Sequence, residues 1–197
     1  MSGCGGPSPH PRTEDPGPRR ALLVGVTGSG KSTLARRLGQ EAGLPVHLVD
    51  EEFGWLPGWV QREPGEQRRL ALAGAEEPAW VFDSAYSHYL RDVADRADLI
   101  VCLDYRRMVS LFRLLRRSLR RIATGERVCN GNIETLPLLF SPDSILRWHA
   151  RSFTRKRRQM ADLADRYGPH KVIRFRSPIQ ARRWVESVKA SGRIPRP

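Results

Sequence analysis

A single eight-residue segment limits what this chain can fold into more strongly than any other feature. Residues 25–32 read GVTGSGKS and match the pattern G-x-x-x-x-G-K-[ST] at every fixed position. An apolar run precedes this glycine-rich loop and a helical pattern follows it, which is the strand–loop–helix setting that the pattern requires. Glycines in such a loop let successive N–H groups point at phosphate oxygens, and the helix N-terminus adds its positive end. The competing interpretation is a glycine-rich turn without a ligand.

The loop pattern predicts a bound nucleoside triphosphate, with ATP and Mg²⁺ as the expected ligands. Lys31 should reach the β- and γ-phosphates, and the hydroxyl of Ser32 should bind the metal. The sequence contains no Asn-Lys-x-Asp motif for recognising guanine, which disfavours GTP. The residues expected to hold the nucleotide are Gly25, Thr27, Gly28, Ser29, Gly30, Lys31, Ser32 and Thr33.

Short apolar runs alternate with helical patterns along the rest of the chain. The predicted strands are residues 20–24, 46–49, 80–82, 99–103 and 171–175. The predicted helices are residues 31–41, 64–74, 87–96, 106–124 and 141–167, and a last helix opens at the capping box Ser177-x-x-Gln180. This alternation predicts an α/β fold of three layers, in which helices cover both faces of a five-stranded parallel sheet.

Composition indicates one domain with extended ends. Residues 1–18 are rich in Pro and Gly, so we expect a disordered lead-in, then a domain over 19–192 and a flexible tail over 193–197. Three widely spaced cysteines are typical of reduced thiols. No apolar run reaches the ~18 residues of a membrane span, and the N-terminus lacks a signal-peptide pattern. We therefore expect a cytoplasmic protein without membrane contact, and the oligomeric state stays open.

Aspartates follow three of the predicted strands directly, at positions 50, 83 and 104. In open parallel sheets, ligands bind outside the carboxyl ends of the strands. We expect Asp83 to act on the metal through water, beside Ser32, and Asp50 to orient or deprotonate an acceptor hydroxyl. Each aspartate could instead be a helix cap or a turn residue, and for Asp104 that structural role is favoured.

Basic residues exceed acidic ones by 34 to 21, and the net charge of +13 suggests a polyanionic partner. Eight arginines and one glutamate lie between residues 106 and 127. At about 100° per residue, one helical stripe contains Arg106, Arg113, Arg117 and Arg120. The apolar side chains on the opposite side are Met108, Leu111, Phe112, Leu115, Leu119 and Ile122. We expect this apolar side to pack on the sheet.

Arg113, Arg117 and Arg120 are the candidate catalytic cations of this stripe. Guanidinium groups make bidentate contacts with phosphate, so such a row can close over a triphosphate and stabilise charge on the transferred group. The alternative is a solvated basic face, which is common for runs of charge. The segment that follows, residues 124–132, contains two glycines and is predicted to be a loop at the tip of a lid.

Two other features have signals of lower specificity. Trp55 and Trp59 follow Asp50 and either line an acceptor pocket or pack this segment. A second basic cluster within residues 151–158 is linked to function more weakly, because its helix also carries apolar residues with core spacing.

Four stretches of the chain resemble one known family. They read GSGKSTLARRLG, LPVHLVDEEFGWLPGW, WVFDSAYS and ADLIVCLDYRR, and an arginine-rich helix follows the last of them. Over residues 21–188 the chain resembles the adenylate-kinase-like P-loop nucleotide kinases, including those often labelled DNA topology modulation proteins. The resemblance implies a P-loop nucleotide-kinase fold, ATP binding and phosphotransfer to a small acceptor.

The resemblance also implies roles for individual positions. The residues matching the family's phosphate and metal ligands are Gly28, Gly30, Lys31 and Ser32. Asp50 and Trp55 correspond to the border of the acceptor site, and Asp83 to the carboxylate of the family's Asp-Gly-Asn-Tyr pattern. The matching arginines are Arg107, Arg113, Arg116, Arg117 and Arg120. The chain departs from the family where Ser84-Ala85 replaces Gly-Asn and where Arg106 replaces proline, so the acceptor stays open.

These observations predict a kinase that transfers the γ-phosphoryl group of ATP to a nucleotide, a nucleoside or a related small metabolite. The alternative is an ATP-switched regulator that binds nucleic acid without kinase turnover. The net charge permits a nucleic-acid partner, although we do not favour it. A duplex DNA affinity with a steep salt dependence would distinguish the regulator from the kinase.

Overall fold

A computed structural model describes residues 17–195 of the chain. Its strands are β1 (Arg20–Gly25), β2 (Val46–His47), β3 (Trp55–Leu56), β4 (Val60–Gln61), β5 (Trp80–Phe82), β6 (Leu99–Leu103), β7 (Arg127–Val128), β8 (Asn132–Ile133) and β9 (Val172–Phe175). Its α-helices are α1 (Lys31–Ala42), α2 (Pro64–Ala75), α3 (Leu90–Arg96), α4 (Arg107–Thr124), α5 (Leu136–Phe140), α6 (Ile145–Tyr167) and α7 (Pro178–Ser191).

The central sheet has the strand order β2–β5–β1–β6–β9, and all of its pairings are parallel. Successive residues of β1 face opposite sides, so that Leu22 and Val24 enter one core while Ala21 and Leu23 enter the other. Helices α2, α3 and α6 cover the first face, and α1 and α7 cover the second. The predicted α/β fold with a five-stranded parallel sheet is confirmed, and β1 delivers the glycine-rich loop to the middle of the sheet edge.

The second strand is shorter than predicted, because side chains accept the backbone N–H groups that would otherwise pair with a neighbouring strand. β2 ends at His47, after which the N–H of Leu48 donates to Glu52 and the N–H of Val49 donates to Asp83. Residues Asp50–Gly54 then form one turn of π-helix, and β3 and β4 make a small antiparallel pair.

Two helices begin later than predicted, and one predicted loop is partly ordered as strands. The long helix expected from residue 141 begins at Ile145, because the Ser144 hydroxyl caps it by accepting the N–H of Arg147 at 3.3 Å. The helix expected from residue 87 begins at Leu90. Residues 124–132 contain the turn of the β7–β8 hairpin. The capping box at the start of α7 is confirmed.

The packed domain reaches beyond both predicted boundaries. Pro18 is buried, and Ile194 is 3% exposed within the core that contains α7. The flexible tail therefore does not begin at residue 193. Residues 1–16 and 196–197, on which the rest of the expected lead-in and tail falls, lie outside the described residues. Between residues 17 and 195, no helix combines the length and apolarity needed to cross a membrane.

The orientation of α4 differs from its amphipathic pattern. Met108 and Phe112 are 70% and 66% exposed, whereas Ser110 and Leu114 are fully buried. The expectation that the apolar side packs on the sheet is therefore wrong for these side chains. The helix rests instead on the glycine-rich loop, because a Cβ atom at Gly28 would meet the Ser110 carbonyl and the Leu114 side chain. This close approach turns part of the arginine stripe toward the loop.

Asp104 has a structural role at the end of β6. Its side chain is 2% exposed and accepts hydrogen bonds from Arg157 Nε and Arg174 Nη2, both at 2.7 Å. These contacts connect β6 to α6 and β9, as favoured for this residue from its sequence position.

Candidate functional site

The glycine-rich loop has the backbone geometry of an anion-binding turn. Gly28 and Gly30 have φ values of 81° and 94°, a left-handed conformation that glycine adopts without steric cost. Helix α1 begins directly after Gly30, and no side chain caps its first N–H groups. Uncapped N–H groups at a helix N-terminus form a ready site for a phosphate group. The buried hydroxyl of Ser29 also lacks a hydrogen-bond partner within residues 17–195.

The remaining loop residues have different surroundings. Gly25 ends β1, where a Cβ atom would approach the Leu103 carbonyl to 3.0 Å. Thr27 is half-buried in the turn, and Thr33 is exposed on the first turn of α1. Thr33 is therefore the most exposed of the residues predicted to bind the nucleotide.

Lys31 is held inside the loop rather than extended into solvent. Its Nζ atom donates to the carbonyl of Val26 at 3.1 Å. Burial lowers the pKa of Lys31, and the nearby carboxylates of Asp83 and Asp50 oppose that shift. A phosphate group would supply the negative charge that this buried ammonium lacks.

Asp83 and Ser32 are brought together as predicted for a metal site. The Ser32 hydroxyl donates to Asp83 Oδ2 at 2.5 Å, and the Val49 N–H donates to Asp83 Oδ1 at 2.9 Å. Burial raises the pKa of Asp83, whereas these two hydrogen bonds oppose the shift. Mg²⁺ commonly takes one or two protein oxygens and completes its shell with phosphate oxygens and water, and this pair fits that requirement.

Asp50 lies at the start of the π-helical turn, near the loop but exposed to solvent. Its Oδ1 atom accepts a hydrogen bond from the Tyr86 hydroxyl at 2.7 Å. Burial and the adjacent Asp50 charge raise the pKa of Tyr86, so that this hydroxyl stays a donor. The sequence placed Tyr86 within a family motif but gave no role to its side chain.

The three candidate arginines of α4 separate into two groups. A Cβ atom at Gly30 would lie 2.6 Å from Arg113 Nη2, so this guanidinium sits directly over the loop. Arg117 is mostly buried, its Nε atom has no hydrogen-bond partner among the described residues, and burial lowers its pKa. Arg120 is instead 63% exposed at its side chain and pairs with Glu126 at 2.7 Å. The structure thus does not bring Arg120 to the loop.

Lys156 on α6 lies near enough to Lys31 of the loop for the two charges to interact, although the sequence suggested no such role. Its pKa is lowered to about 8, first by burial and then by the charges of Lys31 and Arg155. Within the described part of the chain it forms no hydrogen bond or ion pair. Its spacing from the buried Phe153 and Met160 is three and four residues, which places it on the inward face of the helix. This helical spacing is the feature of the sequence that could have predicted an inward-facing Lys156.

Four cations therefore lie around the loop, and none of them has a carboxylate partner within 4.0 Å among residues 17–195. We call them the site cations: Lys31, Arg113, Arg117 and Lys156. Two other basic side chains of α4 are neutralised, since Arg121 pairs with Glu134 and Arg120 with Glu126. The arrangement is suited to a ligand with several negative charges.

The architecture is similar to that of several solved kinase structures. A shikimate kinase from Acinetobacter baumannii has a TM-score of 0.53 at 18% identity, covering 85% of this chain and 89% of its own. A shikimate kinase from Bacteroides thetaiotaomicron has a TM-score of 0.51 at 16% identity, covering 88% and 98%. A gluconokinase from Sinorhizobium meliloti 1021 has a TM-score of 0.50 at 16% identity, covering 90% and 91%.

The chain has the P-loop kinase fold. No family model matches the sequence, and no curated protein matches it either. At identities below one fifth, the likeness establishes the fold, and the acceptor has to be inferred from this chain's own side chains.

Replacing Asp83 by Asn should impair metal-dependent nucleotide binding more than folding. The amide oxygen can still accept the Val49 N–H, so we expect the free energy of unfolding to fall by no more than about 1 kcal/mol. The negative charge beside Ser32 is lost, and we expect the gain in ATP affinity on adding Mg²⁺ to shrink about tenfold. Urea unfolding and calorimetry with and without Mg²⁺ measure the two effects. A large loss of stability with an unchanged Mg²⁺ effect would make Asp83 purely structural.

Proposed function

We propose that this protein transfers the γ-phosphoryl group of ATP to a hydroxyl group of a small acceptor. The observation that supports this most strongly is the convergence of four unpaired site cations on an uncapped helix N-terminus, beside two aspartates. A surface that only bound an acidic macromolecule would not need buried cations at a glycine-rich loop. Phosphoryl transfer depends on positioning and charge neutralisation, and these side chains supply both.

In this proposal the triphosphate lies along the glycine-rich loop and the N-terminus of α1. Lys31 and Arg117 neutralise charge that develops on the transferred group, while Arg113 and Lys156 hold the other phosphate oxygens. Ser32 and Asp83 hold Mg²⁺, which when bound neutralises phosphate charge and orients the phosphate oxygens. Burial of Lys31, Arg117 and Lys156 strengthens their interactions with phosphate, because fewer water molecules screen them.

Asp50 acts on the acceptor side. The hydroxyl oxygen of the acceptor forms a bond to the γ-phosphorus as the bond to the β-phosphate oxygen breaks, and Asp50 takes the hydroxyl proton. Tyr86 donates to one carboxylate oxygen of Asp50 and so orients the other. The acceptor is drawn from nucleotides, nucleosides and related small metabolites.

Lys31→Ala provides the direct test of nucleotide binding. We expect the mutant to lose at least tenfold in affinity for ATP with Mg²⁺, because Lys31 is the site cation held within the loop. Calorimetry on both proteins measures this, and thermal unfolding shows that the mutant is folded. Equal affinities would remove the basis of the proposed function. An ATP-consumption screen over nucleosides, nucleoside monophosphates and sugars then identifies the acceptor.

Arg117→Ala and Arg120→Ala form a matched pair on one helix. Arg117 is a site cation, so we expect turnover to fall at least tenfold, equal to about 1.4 kcal/mol of transition-state stabilisation. Arg120 pairs with Glu126 in solvent, so its loss should change turnover less than about twofold. Initial rates with the identified acceptor measure both effects.

The same pair distinguishes the kinase from the ATP-switched regulator. Binding to random duplex DNA at physiological salt should be weak and little affected by either substitution. Unchanged turnover in Arg117→Ala together with loss of a strong, nucleotide-independent DNA affinity would support the regulator instead.

The low pKa of Lys156 makes nucleotide binding sensitive to pH. An ordinary lysine keeps its charge to about pH 10.5, whereas Lys156 in the free protein loses its proton near pH 8. A bound polyphosphate favours the charged form, so affinity is highest below about pH 8 and falls as pH rises. With a pKa of about 8, roughly one molecule in ten is charged at pH 9, and we expect about a tenfold loss of affinity from pH 7.

Lys156→Arg is the control for this titration, because arginine stays charged throughout this range. We expect its ATP affinity to decline less between pH 7 and pH 9 than that of the wild type. Lys31 is present in both proteins, so its own titration cancels in the comparison. Calorimetry at several pH values measures the difference, and identical profiles would show that Lys156 does not contact the nucleotide.

A further inference from the structure

The turn of the β7–β8 hairpin has an unusual backbone. Cys129, Asn130 and Gly131 have φ values of 44°, 65° and 88°, so three successive residues lie in the left-handed region. Asn is among the residues that tolerate this region best, and glycine adopts it without penalty. Such a conformation persists where surrounding contacts hold it.

Contacts from Asn130 reach across to the segment that begins at Asp50. Its side-chain amide donates to the carbonyl of Glu51 at 2.7 Å and to the carbonyl of Trp55 at 2.6 Å. Glu51 lies within the first turn of the π-helix, and Trp55 directly follows its last residue. One amide therefore binds both ends of the turn that carries Asp50.

Asn132 makes a second set of hydrogen bonds between the hairpin and the segment that follows Asp50. Its Oδ1 atom accepts the Trp59 N–H at 2.7 Å, and its Nδ2 atom donates to the Leu56 carbonyl at 3.0 Å. The Trp59 indole N–H donates to the Ile133 carbonyl at 3.3 Å. Trp55 and Trp59 pack edge to face with ring centres 5.7 Å apart, so both rings lie where the hairpin contacts this segment.

The hairpin is also attached to α4. It follows the end of that helix at Gly125, and Arg121 of α4 binds Glu134 beyond the hairpin at 2.8 Å. The side chains of this ion pair are only 19% and 12% exposed. One connected unit thus runs from the helix that carries Arg117, through the hairpin, to the turn that carries Asp50.

We propose that Asn130 is a positioning residue that sets the separation between Arg117 and Asp50 through this hairpin. The inference rests on the proposed function for its catalytic consequence, since those two side chains act on the transferred group and the acceptor hydroxyl. Without the Asn130 amide, the hairpin keeps the hydrogen bonds of Asn132 and Ile133 to Leu56 and Trp59 but loses those to the turn that carries Asp50.

Two substitutions separate the amide from the backbone conformation. Asn130→Gly keeps the left-handed turn accessible and removes both hydrogen bonds. Asn130→Asp keeps the size of the side chain but directs a carboxylate at two carbonyl oxygens. Ile133→Ala is the matched control, because its side chain is on the same hairpin and its carbonyl, which binds Trp59, is retained.

Hydrogen exchange in the absence of nucleotide measures how firmly the hairpin is held to the segment that follows Asp50. Both Asn130 variants should exchange at least tenfold faster at residues 127–133 and at the Trp59 amide, while Ile133→Ala stays within about threefold of the wild type. Unchanged exchange at these amides in Asn130→Gly and Asn130→Asp would overturn the proposal, whether or not the protein is a kinase.

Kinetics with the identified acceptor measure the positioning. We expect kcat to fall at least tenfold in both Asn130 variants, with less than a threefold change in ATP affinity by calorimetry. A lower thermal midpoint with normal kcat would make Asn130 merely structural and would also overturn the proposal. If the wild type neither binds ATP nor consumes it, the proposed function fails, and the exchange result still decides whether Asn130 joins the two elements.

Discussion

The contact between α4 and the glycine-rich loop is the constraint on which the rest of the site depends. Gly28 leaves no room for a Cβ atom beneath the Ser110 carbonyl and Leu114, so the helix lies directly on the loop. The buried Ser110 and Leu114 hold the helix in this position. Arg113 and Arg117 on the same helix then lie close to the glycine-rich loop. The apolar residues Met108 and Phe112 are consequently left exposed.

Charge is distributed unevenly around this contact. On the part of α4 that points away from the loop, two basic side chains pair with carboxylates, Arg120 with Glu126 and Arg121 with Glu134. At the loop, burial lowers the pKa values of Lys31, Arg117 and Lys156, because no bound carboxylate compensates for lost hydration. Such a cluster costs folding free energy unless an anion is present. That imbalance connects the packing of the fold to the phosphate chemistry that we propose.

The acceptor side is organised by side-chain hydrogen bonds to the backbone instead of by a regular ladder. Val49 N–H is bound by Asp83 where β2 would have continued, and the chain then turns so that Asp50 meets Tyr86. Asn130 binds two carbonyls of this segment, that of Glu51 in the π-helical turn and that of Trp55 at the start of β3. Side-chain hydrogen bonds therefore connect the shortened strand, the π-helical turn and the hairpin.

The sequence by itself determined the parallel sheet and the glycine-rich loop, and it made Ser32 and Asp83 candidates for one metal site. These follow from local patterns, since apolar runs mark buried strands and glycine spacing marks the loop. Only the tertiary structure decided which arginines reach the loop, that Lys156 joins them, and that α4 exposes its apolar side. Helical periodicity gives relative directions around a helix, but the neighbour that each side meets depends on contacts distant in the chain, here between Gly28 and Ser110.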